Sequence, residues 1–203
     1  NVDRLLLSPA KQRGRDFGVM LKTLSNMNYG VEWRVINAAE YGHPQKRRRV
    51  FIFAFHETTK YYQKIIRSPH LEILETEGLF SKQFPIEKLD KVKSEKIFSK
   101  YNDIVNISEK FQYSFESSGI YLGESLTTAK YIPQNSKEYQ LRDLLVRDLV
   151  DEKYYLTDKQ ILKFSELKGS KKILRKRPDG TDYFYSEGKM SFPDNLDSPG
   201  RTM

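Results

Sequence analysis

Four consecutive basic residues, Lys46 to Arg49, follow Gln45 and precede an apolar run that begins at Val50. Arginine suits binding chemistry because its guanidinium is permanently charged and presents its donors in a fixed geometry. It can therefore hold a carbonyl oxygen or a phosphate at two points. An arbitrary run of four basic residues is more often a solvated loop. The neighbouring residues decide between these two interpretations.

The residues around the basic run occur in a distinctive order. Asn1-Val2 opens the chain, and the pairs Asn37-Ala38, Tyr41-Gly42 and Pro44-Gln45 lead into Arg47, Arg49 and the apolar run. In this order they resemble the prokaryotic DNA (cytosine-5) methyltransferases. That family carries Glu-Asn-Val, the same three pairs, and Gln-x-Arg-x-Arg followed by a hydrophobic strand. The resemblance is close over residues 1–55 and favours a functional role for the arginines.

The resemblance implies a chemistry for these residues. Such enzymes rotate a cytosine out of double-stranded DNA and methylate its carbon 5 with S-adenosylmethionine. Arg49 would then contact the O2 carbonyl of the extruded base, and Arg47 the pocket wall and a nearby phosphate. Gln45 would order the loop and, like Lys46, contact DNA, and Asn1 is grouped with the two arginines as a catalytic residue.

Other parts of that family's machinery are expected to lie before Asn1. These parts are the glutamate of the Glu-Asn-Val motif, the glycine-rich loop that binds S-adenosylmethionine and the Pro-Cys nucleophile. The chain contains no cysteine, so it has no thiol nucleophile of its own. We therefore expect a truncated piece of a restriction-modification methyltransferase, inactive alone, that holds the base and reads the DNA.

The charge balance favours a polyanionic partner. Lys and Arg number 35 against 27 Asp and Glu, which gives a net charge of +8. No run of 18 apolar residues or signal peptide is present, so a cytoplasmic protein without a membrane span is expected. The three histidines, at 43, 56 and 70, are too scattered to predict a metal site.

The first part of the chain predicts an α/β fold. A helix is expected over 16–28, with Met20 and Met27 in the core, because apolar residues recur there at helical spacing. Strands are expected over 31–36, which alternates apolar and charged residues, and over 50–55, which is almost wholly apolar and so predicted to be the more buried. Residues 1–56 would be the terminal part of a Rossmann-like methyltransferase sheet, a strand hairpin plus a helix.

Composition changes near Glu57, where we expect a mixed α+β target-recognition domain, 57–203, to begin. Its first part predicts a helix near 87–100 and strands within 104–115. Further helices are expected over 139–149 and, after a capping box at Thr157, up to Gly169. A β-hairpin is expected over 171–188, with its turn at Pro178-Asp179-Gly180.

By position, the hairpin and the last residues would supply loops that enter the major groove. Basic side chains there can neutralise phosphates, while tyrosine and hydroxyl groups can read base edges. Arg175 or Arg177 is expected to reach a guanine, although a basic hairpin that faces water is the simpler alternative. The predicted DNA contacts here are Lys171, Lys172, Arg175, Lys176, Arg177, Tyr183, Ser186, Arg201 and Thr202.

Two other classes of function remain open. A free-standing, non-catalytic DNA-binding specificity subunit would need the same basic residues, and a basic structural protein would bind no DNA even at low salt. The resemblance also implies that strand 50–55 pairs with a strand preceding Asn1. Its edge is therefore expected to be bare and apolar in this chain, which favours self-association.

Overall fold

The computed structural model describes residues 2–134 and 139–201. They form a mixed α/β structure that divides into two compact units, Asn1–Glu138 and Tyr139–Met203. The division therefore does not coincide with the change of composition at Glu57, because residues beyond it add strands to the sheet that the first residues begin. A functional boundary at 57 stays a prediction.

A five-stranded sheet organises the first unit, with the strand order β3-β1-β5-β6-β4. The four neighbouring pairs are all antiparallel. The strands are β1 (Tyr29–Asn37), β3 (Arg48–His56), β4 (Ile86–Glu95), β5 (Ser118–Leu122) and β6 (Ser125–Pro133), and a two-residue strand, β2 (Gln45–Lys46), lies in the loop between β1 and β3.

Short helices cover the sheet. They are α1 (Arg15–Asn26), α2 (Lys60–Ile65), α3 (His70–Glu72), α4 (Leu79–Gln83) and α5 (Ile104–Lys110), with 3-10 turns at Asp3–Leu7 and Ala38–Tyr41 and a π-helical turn at Ile73–Glu77. Among the described residues, no helix is long and apolar enough to cross a membrane.

The two faces of the sheet carry separate hydrophobic clusters. On one face α1 packs against β1, where the ring of Phe17 meets that of Trp33 edge-on at 5.1 Å. On the other face Ile73 and Leu74 pack against Phe55 and Ile120. The predicted helix is thus confirmed, but Met20 and Met27 are 38% and 50% exposed and do not fill the core.

The prediction that the second strand is the more buried was wrong. β1 lies between β3 and β5 and is buried along nearly its whole length, including its charged residues Glu32 and Arg34. β3 lies at the edge of the sheet, and Phe51 on it is 48% exposed. The alternation of apolar and charged residues in β1 predicts that one side of the strand faces solvent, but that side is buried as well.

Two predictions between the sheet strands were also wrong. Most of the range 87–100, predicted as a helix, lies in strand β4. The first part of the range 104–115, predicted as strands, forms helix α5. Asp103 caps α5 by accepting a hydrogen bond from the backbone N–H of Asn106 at 2.7 Å. The Asp-x-x-Asn cap was a readable helix start, whereas β4 is a mostly exposed strand with little apolar alternation.

In the second unit, helix α6 (Asp158–Lys168) and the hairpin of β7 (Lys171–Lys176) and β8 (Asp182–Glu187) confirm two predictions. Thr157 caps α6 with the predicted capping box. The helix predicted over 139–149 was wrong, because only a 3-10 turn, Leu141–Leu144, forms there. The described part of this unit also contains a further turn, Glu152–Tyr154, and a two-residue strand, β9 (Gly200–Arg201).

Candidate functional site

The loop that carries the basic run is closed by Asn37 at the end of β1. Its side-chain oxygen Oδ1 accepts a hydrogen bond from the backbone N–H of Arg47 at 3.1 Å. The backbone N–H of Ala38 donates to the carbonyl of Arg47 at 3.1 Å. Asn37 therefore fixes where the chain re-enters the sheet and begins β3.

Within the loop, the 3-10 turn Ala38–Tyr41 ends at Gly42, which has a φ of 79°. This left-handed conformation favours glycine, because other side chains meet the backbone there. The turn allows the backbone N–H of His43 to donate to the carbonyl of Ala38 at 3.2 Å. The Tyr41-Gly42 pair of the sequence motif is thus the sharp bend that brings Tyr41 against the sheet.

Arg47 and Arg49 point to one side of the chain as it enters β3, and Arg48 points to the other. Successive side chains of a β-strand alternate between faces, and Arg47 and Arg49 accordingly line the same cavity. Arg48 lies on the other side, where its Nε is 3.4 Å from the carboxylate of Asp3. This alternation gives a physical reason for the spacing of the two motif arginines.

We call the cavity that Arg47 and Arg49 line the arginine pocket. Its volume is about 220 Å³, and most of its surface is apolar. Aromatic rings form part of its wall: Tyr41 and Phe84 meet edge-on with their centroids 5.1 Å apart. Burial raises the pKa of Tyr41, so its hydroxyl is neutral at physiological pH. The pocket is lined by Tyr41, His43, Arg47, Arg49, Phe51 and Phe84, with Ile36 and Ala38.

Phe51 and Phe84 were not among the residues predicted from the sequence. Phe51 faces the pocket because it is two residues beyond Arg49 on the same strand, a relation that strand periodicity could have given. Phe84 comes from a distant segment that contains α4, and no local pattern marks it. His43, which was likewise not among the predicted site residues, also lines the pocket.

The hairpin of the second unit brings most of the other predicted DNA contacts together. On one face, Lys172, Leu174 and Lys176 lie beside Phe184 and Ser186, as the register of β7 and β8 requires. These side chains are exposed, and Leu174 and Phe184 are 56% and 59% accessible. The opposite face carries Lys171, Arg175, Tyr183 and Tyr185.

Aromatic rings hold the basic side chains of the hairpin. The guanidinium of Arg175 lies 4.0 Å from the ring of Tyr185, and Lys172 Nζ lies 4.7 Å from that of Phe184. Lys171 Nζ is 3.5 Å from the carboxylate of Glu187. Arg177 is at the turn, 5.4 Å from the Tyr183 ring. These contacts orient the cations without neutralising most of them.

The remaining predicted residues are more scattered. Gln45 and Lys46 form β2 and are exposed, and Arg201 in β9 lies 3.9 Å from Asp194. Asn1 and Thr202 lie outside the described residues. Over residues 2–134 and 139–201, no three His, Cys, Asp or Glu side chains group into a metal site. All the DNA-contact and base-contact roles stay predictions.

The chain matches a family model described as C-5 cytosine-specific DNA methylase over residues 1–193. It is 45% identical to the type II methyltransferase M.Sau3AI of Staphylococcus aureus over the whole chain and 49% of that protein. The type II methyltransferase M.NgoBI of Neisseria gonorrhoeae is 37% identical over 30% of the chain and 19% of its own length. No solved structure gives a significant match. The chain spans about half the length of M.Sau3AI, and it belongs to the family of C-5 cytosine-specific DNA methylases.

Proposed function

We propose that this chain works as part of a DNA (cytosine-5) methyltransferase of a restriction-modification system, in which it holds the extruded cytosine and reads the DNA. The observation that carries the proposal is the arginine pocket, where Arg47 and Arg49 meet three aromatic rings. The pocket combines permanent charge with apolar walls, which suits a flat base with a polar edge.

The two arginines are suited to the charge that develops on the base during the reaction. Attack on carbon 6 of cytosine pushes negative charge onto N3 and O2 of the ring, and a donor at O2 stabilises that charge. Arg49 would donate to O2, and Arg47, which is more exposed, would hold the adjacent phosphate. An arginine holds an oxygen acceptor better than a lysine does, because its planar guanidinium presents its N–H donors in a fixed geometry.

Members of this family take the methyl group from S-adenosylmethionine. The residues that line the arginine pocket include no carboxylate, so this pocket does not fit the positively charged sulfonium of the donor. The chain also has no cysteine to attack carbon 6. We propose that the donor site and the nucleophile belong to residues of the parent protein other than these 203.

DNA reading would fall to residues from about 57 onward, and chiefly to the β7-β8 hairpin. A two-stranded ribbon fits the major groove of B-DNA. The exposed lysines Lys172 and Lys176 would contact phosphates. Arg175 and Arg177 remain the candidates for contact with a guanine. Residues 1–56 would complete the catalytic domain as the end of its Rossmann-like sheet.

The test is methylation of DNA by the complete protein encoded by the reading frame that contains this chain. It is expressed in a bacterial host whose DNA lacks 5-methylcytosine, and the host DNA is sequenced after bisulfite treatment. We expect 5-methylcytosine at one short recurrent sequence. Arg49→Lys, which keeps the charge but loses the fork, should lower the methylated fraction strongly at equal protein level.

A specificity subunit without catalysis gives a different result. The folded protein would then bind duplex DNA with a steep salt dependence, yet leave the host DNA free of 5-methylcytosine. That outcome rejects the methyltransferase proposal in favour of the binding module. Absence of DNA binding at low salt would reject both in favour of a structural protein.

A further inference from the structure

Two charged side chains lie buried in the middle of β1, between β3 and β5. Glu32 and Arg34 of β1 are both 0% exposed. The register pairs Arg34 with Phe51 and Ile36 with Arg49, so Glu32 and Arg34 lie on the face of the sheet that carries the arginine pocket. Burying a charged side chain is strongly unfavourable unless hydrogen bonds compensate, so the partners of Glu32 and Arg34 indicate what these two residues do.

The hydrogen bonds of Arg34 join the two ends of one segment. Its Nη2 donates to the carbonyl of Leu74 at 2.5 Å, and its Nη1 donates to the carbonyl of Phe84 at 3.0 Å. Its guanidinium also lies 5.2 Å from the ring of Tyr131. One rigid, permanently charged group thus fixes both Leu74 and Phe84 against β1.

Glu32 holds the middle of the same segment. Its carboxylate accepts hydrogen bonds from the backbone N–H groups of Leu79 at 3.0 Å and Phe80 at 3.2 Å. The hydroxyl of Tyr61 adds a third donor at 3.3 Å. Burial raises the pKa of Glu32, and the two backbone donors oppose that rise.

Gly78 allows the backbone of the segment 74–84 to lie close to the Glu32 carboxylate. A Cβ atom at residue 78 would lie 2.7 Å from the Glu32 carboxylate and 2.5 Å from the carbonyl of Ile73. Both distances are too short for any side chain. The segment 74–84 is therefore built to receive the two charged side chains of β1, and it ends at Phe84, whose ring meets Tyr41 in the arginine pocket.

We propose that Phe84 is a binding residue that contacts the ring of the base bound in the arginine pocket, and that Arg34 is the positioning residue that holds Phe84 there. The inference rests on the proposed function, because it takes the occupant to be an extruded cytosine. The arginines bind the polar edge of the base, and Phe84 covers its apolar face. Arg34 is too deeply buried to touch the base itself.

The test is steady-state methyl transfer by the complete encoded protein, on a duplex that carries the sequence it methylates. Phe84→Ala should lower kcat/KM about ten-fold or more, since stacking of a base on an aromatic ring is lost. Phe98→Ala is the matched control: it truncates a phenylalanine that is 5% exposed in the cluster on the other face. It should leave kcat/KM at its original value when assayed below its melting temperature.

A double variant distinguishes a positioning role of Arg34 from a general effect of Arg34 on stability. Arg34→Met should lower kcat/KM in the folded protein, and adding it to Phe84→Ala should cause little further loss, because Arg34 acts through Phe84. Arg34→Lys, which can still donate to a carbonyl, should recover part of the activity. If Arg34→Met does not fold, the comparison of Phe84→Ala with Phe98→Ala still decides the role of Phe84, and Arg34→Lys decides that of Arg34.

The outcomes that overturn the inference are distinct from those that overturn the function. Unchanged kcat/KM in Phe84→Ala, or fully additive losses in the double variant, overturns the inference while the methyltransferase stands. An unmodified protein that is folded and transfers no methyl group overturns both.

Discussion

Asn37 and Arg47 are joined by a hydrogen bond in which the side-chain oxygen of Asn37 accepts from the backbone N–H of Arg47 at 3.1 Å. The bond closes the loop that lies between β1 and β3. It sets the point from which Arg47 and Arg49 turn toward the pocket while Arg48 turns away.

Asn37→Ala should therefore loosen the loop. Removing the acceptor should lower the free energy of unfolding by about 1 kcal/mol, and the amide of Arg47 should exchange its hydrogen faster. Denaturant unfolding and hydrogen exchange measure the two effects. Gln12→Ala is the control, because it removes an amide hydrogen bond to the carbonyl of Ser108 far along the chain from this loop. Equal exchange at Arg47 in both variants would show that Asn37 does not close the loop.

Gly119→Ala should destabilise the sheet. A Cβ atom at this position of β5 would lie 2.2 Å from the Trp33 ring and 2.8 Å from the carbonyl of Thr127. Overpacking of this kind costs about 1–3 kcal/mol. Gly188→Ala, with no atom within 4 Å of its new Cβ, should change the free energy of unfolding little. Thermal unfolding of the two variants compares them, and a similar melting temperature for both would contradict the packing described.

His70 should make stability depend on pH. Its Nδ1 lies 2.9 Å from Thr127 Oγ1, and burial lowers its pKa below the ordinary value of 6.5. The unfolded chain therefore binds a proton first as the pH falls. The stability that neutral His70 contributes is complete above about pH 6.5 and is lost as the pH falls toward the lower folded pKa.

His70→Gln should remove this part of the pH dependence, since an amide can meet Thr127 without titrating. The free energy of unfolding is measured for both proteins at about pH 7.5 and 5.5. The other two histidines are present in both proteins, so their contributions cancel. An equal fall in the two proteins would contradict the role of His70.

The exposed face of the hairpin should govern the salt dependence of DNA binding. Lys172→Ala and Lys176→Ala should each weaken binding to all duplexes alike and reduce the slope of log K against log salt by about 1. Lys88→Ala removes an exposed lysine from β4, outside both proposed contact surfaces, and should leave the slope unchanged. A slope that falls equally in all three variants would indicate non-specific attraction by net charge.

Local signals predicted the parts of the fold that depend on short-range chemistry. The helical spacing of Phe17 and Leu21, the capping box at Thr157 and the turn at Pro178-Asp179-Gly180 each correspond to an observed element. These signals work because the interactions that stabilise the element lie within a few residues of one another.

Interactions between distant segments explain what the sequence did not predict. Glu32 and Arg34 look like the exposed side of a strand, but they are buried against partners that lie 29 to 50 residues away along the chain. The same contacts bring Phe84 to the arginine pocket. No pattern within a single sequence reports such a pairing, so Phe84 could be found only from the structure.

The central claim is that the arginine pocket holds a base rotated out of the duplex. It is tested most directly by the fluorescence of pyrrolocytosine placed at the target position of a duplex, because this cytosine analogue keeps the O2 carbonyl and brightens when it leaves the stack. The complete protein should raise the fluorescence several-fold. Arg48→Ala, which alters the arginine on the other side of the strand, should give the same rise, while Arg49→Ala should give little. An equal rise with Arg49→Ala and with the unmodified protein, or no rise from a protein that binds the duplex, would contradict the account.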